Sequence, residues 1–164
     1  MSSDRITLRP ARPGDAPTVA ETWRLGWRDA HLGHVPDELV AIRTDESFAT
    51  RAAQRVGDTV VAAVNDAVAG FVMVVADEVE QVYVAGDHRG TGVAAALLAE
   101  AERLVAANGH GRAWLAVAVG NARALRFYER NGWVDEGVFD YPATTADGTI
   151  TVPCHRYVKP VARG

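Results

Sequence analysis

The amino-acid sequence predicts one α+β domain of three layers: a mixed, mostly antiparallel sheet of about seven strands with helices on both faces. Three observations lead there. Two β-rich runs, 59–64 (TVVAAV) and 68–76 (VAGFVMVVA), flank Asn65-Asp66-Ala67, a hairpin signature. Two long segments, about 15–32 and 93–107, place apolar residues at helical spacing. The run 113–119 (AWLAVAV) is almost wholly apolar, as in a strand covered on both faces. A chain of 164 residues fits one domain, and 48% apolar residues supply an ordinary core.

Taken in order, residues 5–9 (RITLR) alternate and read as a first strand. Pro13-Gly14-Asp15 punctuates, and Asp15 is a candidate N-cap for a helix to about Leu32, with Val19, Trp23 and Trp27 on one stripe. Gly33 and Pro36 end it. Residues 37–55 read as one polar helix or two short ones, with Leu39, Ile42, Phe48 and Ala52 on the apolar side. After the hairpin comes a third β-rich run, 79–84 (VEQVYV), in which Val82 and Val84 share one strand face, and so do Glu78 and Glu80. A glycine-rich turn then leads into a helix to about Ala107, with Val93, Leu97, Ala101, Leu104 and Val105 as its stripe and Asn108-Gly109 as its stop. Asn121 caps a short helix reaching Asn131-Gly132. Residues 133–139 and 149–158 read as two final strands around a loop at 140–148. No repeat, low-complexity tract or linker divides the chain, so 1–164 is read as a single domain.

Composition narrows the function. The chain carries 17 basic and 21 acidic residues, a net charge of −4. That balance excludes a general nucleic-acid binder and favours a cationic small molecule as partner. Lys159 is the sole lysine, so no GxxxxGK[ST] phosphate loop exists and Schiff-base chemistry has one unsupported candidate. The single cysteine, Cys154, forms no intrachain disulfide, which fits a reducing cytoplasm. Met1 to Pro10 carries Asp4, Arg5 and Arg9 without an apolar h-region, so no signal peptide is expected. No uncharged run approaches the roughly 20 residues of a membrane helix.

The strongest local signal is Arg89-Gly90-Thr91-Gly92-Val93-Ala94 between a strand and a helix. Glycines let backbone approach a ligand, and the free N–H groups of the helix start face an anion such as pyrophosphate. A tight packing turn has the same signature. Gly90-x-Gly92-x-x-Ala95 also satisfies the dinucleotide fingerprint, which would make the protein an NAD(P)-binding oxidoreductase. That reading wants an acidic residue about 20 positions on, and none stands between Glu102 and Glu129. It is the weaker alternative.

The run VYVAGDHRGTGVAAALL, followed by NARALRFYERNGW at 121–133, resembles the GNAT N-acetyltransferase superfamily. Arg89, Gly92 and Ala94 fall on that family's R/Q-x-x-G-x-G/A loop, and Asn121, Phe127-Tyr128 and Gly132 match its second block in order and spacing. The resemblance covers about residues 79–133. It implies acetyl-CoA as co-substrate, entering a V-shaped split between the strands at 79–84 and 113–119, with no metal. It implies that backbone groups of Val82, Tyr83 and Val84 hold the pantetheine arm, that the N–H groups of Arg89, Gly90, Thr91, Gly92, Val93 and Ala94 hold the pyrophosphate, and that Asn121 contacts the arm. Tyr128 would protonate the departing thiolate, a task suited to a phenol. By position alone Tyr128 also reads as a core aromatic beside Phe127 and Trp133.

The attacking amine must lose a proton. Glu80 is the first candidate for the base, with Glu78 on the same face. A carboxylate among Val79, Val82 and Val84 would be desolvated and its pKa raised. A plain edge carboxylate is the other reading of Glu80, and the family resemblance does not decide between them. Acceptor contacts are expected from Trp27, Asp29 and His31 in or after the first helix, from Glu78, and from Asp140 and Tyr141 in the late loop. Aromatics with a carboxylate could hold a cation, although Trp23 and Trp27, four apart, include at least one core residue. His31-x-x-His34 lacks a third nearby metal ligand. Cys154 and His155 are strand neighbours facing opposite ways, not a nucleophile–base pair. The expected reaction is acetyl transfer to a small-molecule primary amine by direct attack. A non-catalytic acyl-CoA sensor and a protein N-terminal or lysine acetyltransferase are the alternatives, and a homodimer is the expected assembly.

Overall fold

The computed structural model describes residues 5–161. Met1 to Asp4, part of the segment read as lacking a leader, lie outside the described residues. The alternating run at the start forms β1 (Ile6–Pro10), antiparallel to β2 (Thr59–Val64), which forms the expected hairpin with β3 (Ala67–Val75). Asn65 and Asp66 turn the hairpin at φ 51° and 67°, the left-handed pair that a two-residue turn requires. β3 pairs antiparallel with β4 (Glu78–Val84). Farther on, β5 (Arg112–Ala118) pairs with β7 (Gly148–Pro160), and β7 pairs with β6 (Val134–Thr145). The seven strands therefore lie in the order β1-β2-β3-β4-β5-β7-β6, with every pairing antiparallel except β4–β5.

Helices cover both faces. On one lie α1 (Ala16–His31), α2 (Asp37–Ile42) and α3 (Asp45–Gln54), and the core there joins Val19, Trp23, Trp27, Leu39, Phe48 and Ala52 to Phe71 and Met73 of β3. On the other lie α4 (Val93–Ala107) and α5 (Ala122–Arg130), where Val93, Leu97, Leu98, Ala101 and Val105 pack on Val72, Val79, Leu115 and Tyr157. Trp23 and Phe48 are wholly buried and meet edge to face at 5.6 Å. Both members of the Trp pair are thus core residues, Trp23 wholly buried and Trp27 6% exposed.

Four expectations change. Asp15 does not cap α1 through its side chain: it closes a 3-10 turn by accepting from Arg12 N and is held by Arg9 at 2.7 Å. That pairing keeps its carboxyl below the usual range. The segment 37–55 is two helices, with Thr44 capping the second by accepting from Ser47 N, and Ile42 is 40% exposed rather than on the apolar side. The loop expected at 140–148 is instead the end of a long hairpin: β6 and β7 stay paired out to Thr145↔Gly148. Pro142 is tolerated because β6 is the edge strand, where one row of N–H groups needs no ladder partner. Finally, β4 is not regular. The β3–β4 register runs from Met73↔Gln81 to Val74↔Val79, leaving Glu80 as the extra residue of a bulge. Val79 and Val82 consequently both join the α4-side core, together with Val84.

Candidate active site

The site grows from the single parallel pairing. β4 and β5 touch at Glu78↔Trp114, reinforced by Trp114 N donating to Asp77 O at 3.1 Å, and then part. Val82, Tyr83 and Val84 pair only with β3, and Leu115 to Ala118 only with β7. The facing strand edges leave backbone N–H and C=O groups without ladder partners, lining a cavity of about 2040 Å³ between them. This is the V-shaped split expected between 79–84 and 113–119.

At one end stands the glycine loop. A 3-10 turn, Gly86–His88, leads through Arg89 to Gly90 and Gly92, at φ 76° and 90°. Gly92 is the N-cap of α4 in the left-handed conformation, and no side chain caps this helix. The first N–H groups of α4 are therefore free to face an anion, with the helix dipole aligned behind them. Arg89, Gly90, Gly92 and Ala94 line the cavity. Thr91 and Val93 do not: the Thr91 hydroxyl donates to His88 O, and Val93 is buried in the core, so both contribute backbone only. Asn121, the N-cap of α5, accepts from Ala124 N at 3.3 Å and lines the same end. Tyr128 follows two turns later, its ring 5.3 to 6.2 Å from those of Phe127, Tyr157 and Trp133. The residue packs on aromatics, as its position suggested, and also lines the cavity. Burial pushes its hydroxyl up to about 12, so it stays protonated at neutral pH.

The opposite wall is built from α1, α2, α3 and the β6–β7 hairpin. Trp27 stacks on His31 at 4.7 Å, and both line the cavity. His31 donates from Nδ1 to Trp27 O at 2.8 Å, and burial pushes its pKa down to about 4, leaving the ring neutral. Gly26 faces Tyr83 so closely that a Cβ there would lie 2.3 Å from the ring. Glu78 accepts from the Tyr141 hydroxyl at 2.6 Å. Burial raises the Glu78 carboxyl above the ordinary value, and Tyr141 pulls back part of that rise.

Three acidic candidates have partners or positions that the sequence did not indicate. Glu80 is not a lone desolvated carboxylate; Arg55 of the helix–strand connection sits 3.0 Å from it. Asp29 lines the cavity and is paired with Arg89 at 2.7 Å, a link between α1 and the glycine loop. Asp140 is exposed and faces away, because strand alternation turns Phe139 and Tyr141 toward the acceptor-side core and Asp140 outward. Cys154 lines the cavity with its thiol pushed up to about 11 by burial, while His155 faces Asp135 on the far side of the strand, as the sequence indicated. His34 lies against Gly120, where a Cβ would meet its ring at 2.5 Å. Among the described residues no group of three His, Cys, Asp or Glu side chains is placed to hold a metal, and no helix is long and apolar enough to cross a membrane.

Sequence reasoning missed the arginines of this wall. Arg43 is 8% exposed and donates to Thr144 O at 2.6 Å. Arg51 lies over the Trp23 ring at 4.3 Å. The spacing of Arg51 and Arg55 on a helix anchored by Phe48 and Ala52 could have placed both on one face, but nothing in it indicates that β4 lies opposite.

A sheet split beside a glycine-capped helix, with backbone groups bared on both edges, can receive an extended ligand that ends in an anion. The chain belongs to the Acetyltransferase (GNAT) family, whose model matches residues 19–133. No curated relative matches it. Among solved structures it is similar to a GCN5-related N-acetyltransferase from Rhodopseudomonas palustris, at 21% identity and TM-score 0.73, covering 98% of this chain and 99% of that one. It is also similar to a phosphinothricin acetyltransferase from Sinorhizobium meliloti in complex with AcCoA, at 20% identity and TM-score 0.68, covering 97% and 90%. A nourseothricin acetyltransferase is 34% identical over 63% of this chain and 65% of its own, at TM-score 0.54.

Proposed function

We propose that the protein transfers an acetyl group from acetyl-CoA to the primary amine of a small molecule by direct attack. The observation that carries this reading is one cavity holding a partly buried, protonated Tyr128 at the split and a half-buried carboxylate, Glu78, on the acceptor side. Backbone groups of Val82, Tyr83 and Val84 bind the pantetheine arm, and the free N–H groups after Arg89 bind the pyrophosphate. Glu78, in preference to the ion-paired Glu80, takes the proton of the incoming amine. Its raised pKa makes it a stronger base than an exposed carboxylate. The amine nitrogen bonds to the acetyl carbon as the C–S bond breaks. Tyr128 gives its proton to the leaving sulfur, the nitrogen sheds its second proton to solvent as the amide forms, and solvent reprotonates Tyr128. Cys154, with a raised pKa and no base beside it, offers no acyl-enzyme route. The dinucleotide reading has no support in the sheet, whose strands make one parallel pairing instead of a doubly wound parallel array.

The test combines melting temperature with thiol release. Acetyl-CoA should stabilise the protein, and an amine panel should liberate CoA thiol. Tyr128→Phe should lower turnover by about 10²-fold or more with acetyl-CoA stabilisation retained. Turnover unaffected in that variant would refute the acid assignment. Stabilisation by NAD alone would overturn the reading as a whole. Binding of acetyl-CoA with no thiol release from any amine would make the protein a sensor.

A further inference from the structure

The charges of the acceptor wall do not match a purely cationic substrate. Arg55 is balanced by Asp58 at 3.1 Å and Glu80 at 3.0 Å, and Arg89 by Asp29. Arg24 and Arg28 share Asp45. Four arginines of the cavity are left over: Arg123 and Arg130, both solvent-exposed on α5, and Arg43 and Arg51, sunk into the acceptor wall. Among the described residues neither Arg43 nor Arg51 has a carboxylate within ion-pair distance. Arg51 has the Trp23 ring beneath it, and Arg43 spends one nitrogen on Thr144 O while its Nε is buried without a partner. The acids at the rim, Glu38, Glu46 and Asp147, are solvent-exposed and screened. Burial and mutual repulsion push Arg51 down to about 10, so the site holds positive charge at a cost. Unpaired guanidiniums in a concave, water-poor wall are matched by an oxoanion, which they grip bidentately.

Resting on the acetyl-transfer reading, we infer that the acceptor is a zwitterion, an amine carrying a carboxylate or similar oxoanion, with Arg51 and Arg43 holding the anion while Glu78 receives the amine. Both signs then find partners. Glu80 and Asp29 each carry an arginine, whereas Glu78 has no ion-pair partner among the described residues, and Arg51 and Arg43 are the cations of the acceptor wall with no carboxylate. Tyr141, donating to Glu78, would sit between the two halves.

The experiment compares matched acceptors that differ only in the anion: phenylalanine, phenylalaninamide and phenethylamine, then leucine, leucinamide and isoamylamine. Thiol release from acetyl-CoA gives kcat/KM for each. The carboxylates should be preferred by about tenfold or more, the scale of one charge-assisted contact. Arg51→Gln and Arg43→Gln should collapse that ratio, chiefly through KM, and Arg51→Lys should recover part of it. Acetyl-CoA stabilisation of each variant shows that it is folded. Amides or bare amines processed as well as the carboxylates, or a ratio unmoved in both Gln variants, overturns the inference while leaving acetyl transfer intact. If acetyl-CoA binds and no amine is acetylated, acetyl transfer fails, and the inference is read from melting temperature with CoA present. A stabilisation by the carboxylates that Arg51→Gln abolishes upholds the anion site; equal stabilisation by the amides, or none by any compound, overturns it.

Discussion

At the loop end of the cavity, much of what is bared is backbone: strand edges at 82–84, N–H groups after Gly90 and Gly92, and the start of α4. At the acceptor end the lining groups are side chains, Arg43, Arg51, Glu78, Tyr141 and the Trp27–His31 stack, drawn from α1, α2, α3, β4 and β6. The first end needs particular conformations, which glycines and helix starts announce within a dozen residues of sequence. The second needs particular atoms, brought together across separations as large as the 101 residues between Arg43 and Thr144. A local motif can encode the first kind of site and cannot encode the second.

Four perturbations test this division, beginning with the largest effect. Glu78→Gln should reduce kcat by about 10²-fold and leave acetyl-CoA affinity alone. In the parent, kcat/KM should rise with pH as Glu78 ionises, because the base acts deprotonated. That limb should lie above the ordinary carboxylate range and should vanish in the variant. A limb that persists identically in Glu78→Gln would return the role to another group. Gly26→Ala should lower stability by about 1–3 kcal/mol, read as a lower melting temperature, since its Cβ would meet Tyr83 Cδ1 at 2.3 Å. The displaced ring should raise the acceptor KM more than that of acetyl-CoA. Gly92→Ala has open space for its Cβ but keeps φ 90°, a strain of about 1–2 kcal/mol. Its effect should appear as weaker acetyl-CoA binding, about tenfold by titration, with acceptor discrimination preserved. Asp140→Asn should change neither substrate's KM, and a raised acceptor KM would show that β6 presents this face to the substrate after all.

Much of the fold was legible in the sequence. The hairpin followed from Asn65-Asp66, the α4 stripe from its spacing, and the α5 cap from Asn121. Three features were hidden. Pro142 and the Asp147-Gly148 turn made the outer half of the β6–β7 hairpin look like a loop, because edge-strand tolerance of proline depends on which strand is last in the sheet. The bulge at Glu80 was invisible because VEQVYV does not say where its partner slips register. The ion pairs of Glu80 and Asp29 were invisible too, since each partner lies in a different element. Those pairs are why the acidic acceptor wall expected from a net charge of −4 came down to one half-buried carboxylate without an ion pair, Glu78, among the described residues.

The parting of β4 and β5 also governs how the molecule tolerates mutation. A peptide N–H or C=O survives nearly any change of the side chain it carries, so substitutions along 82–84 leave the hydrogen-bonding edge in place. The groups of the acceptor wall have no such redundancy, and one codon change at position 43, 51, 78 or 141 rewrites what the wall can recognise. On the acetyl-transfer reading proposed above, donor binding is thus buffered against drift, while acceptor recognition stands a single substitution from something new.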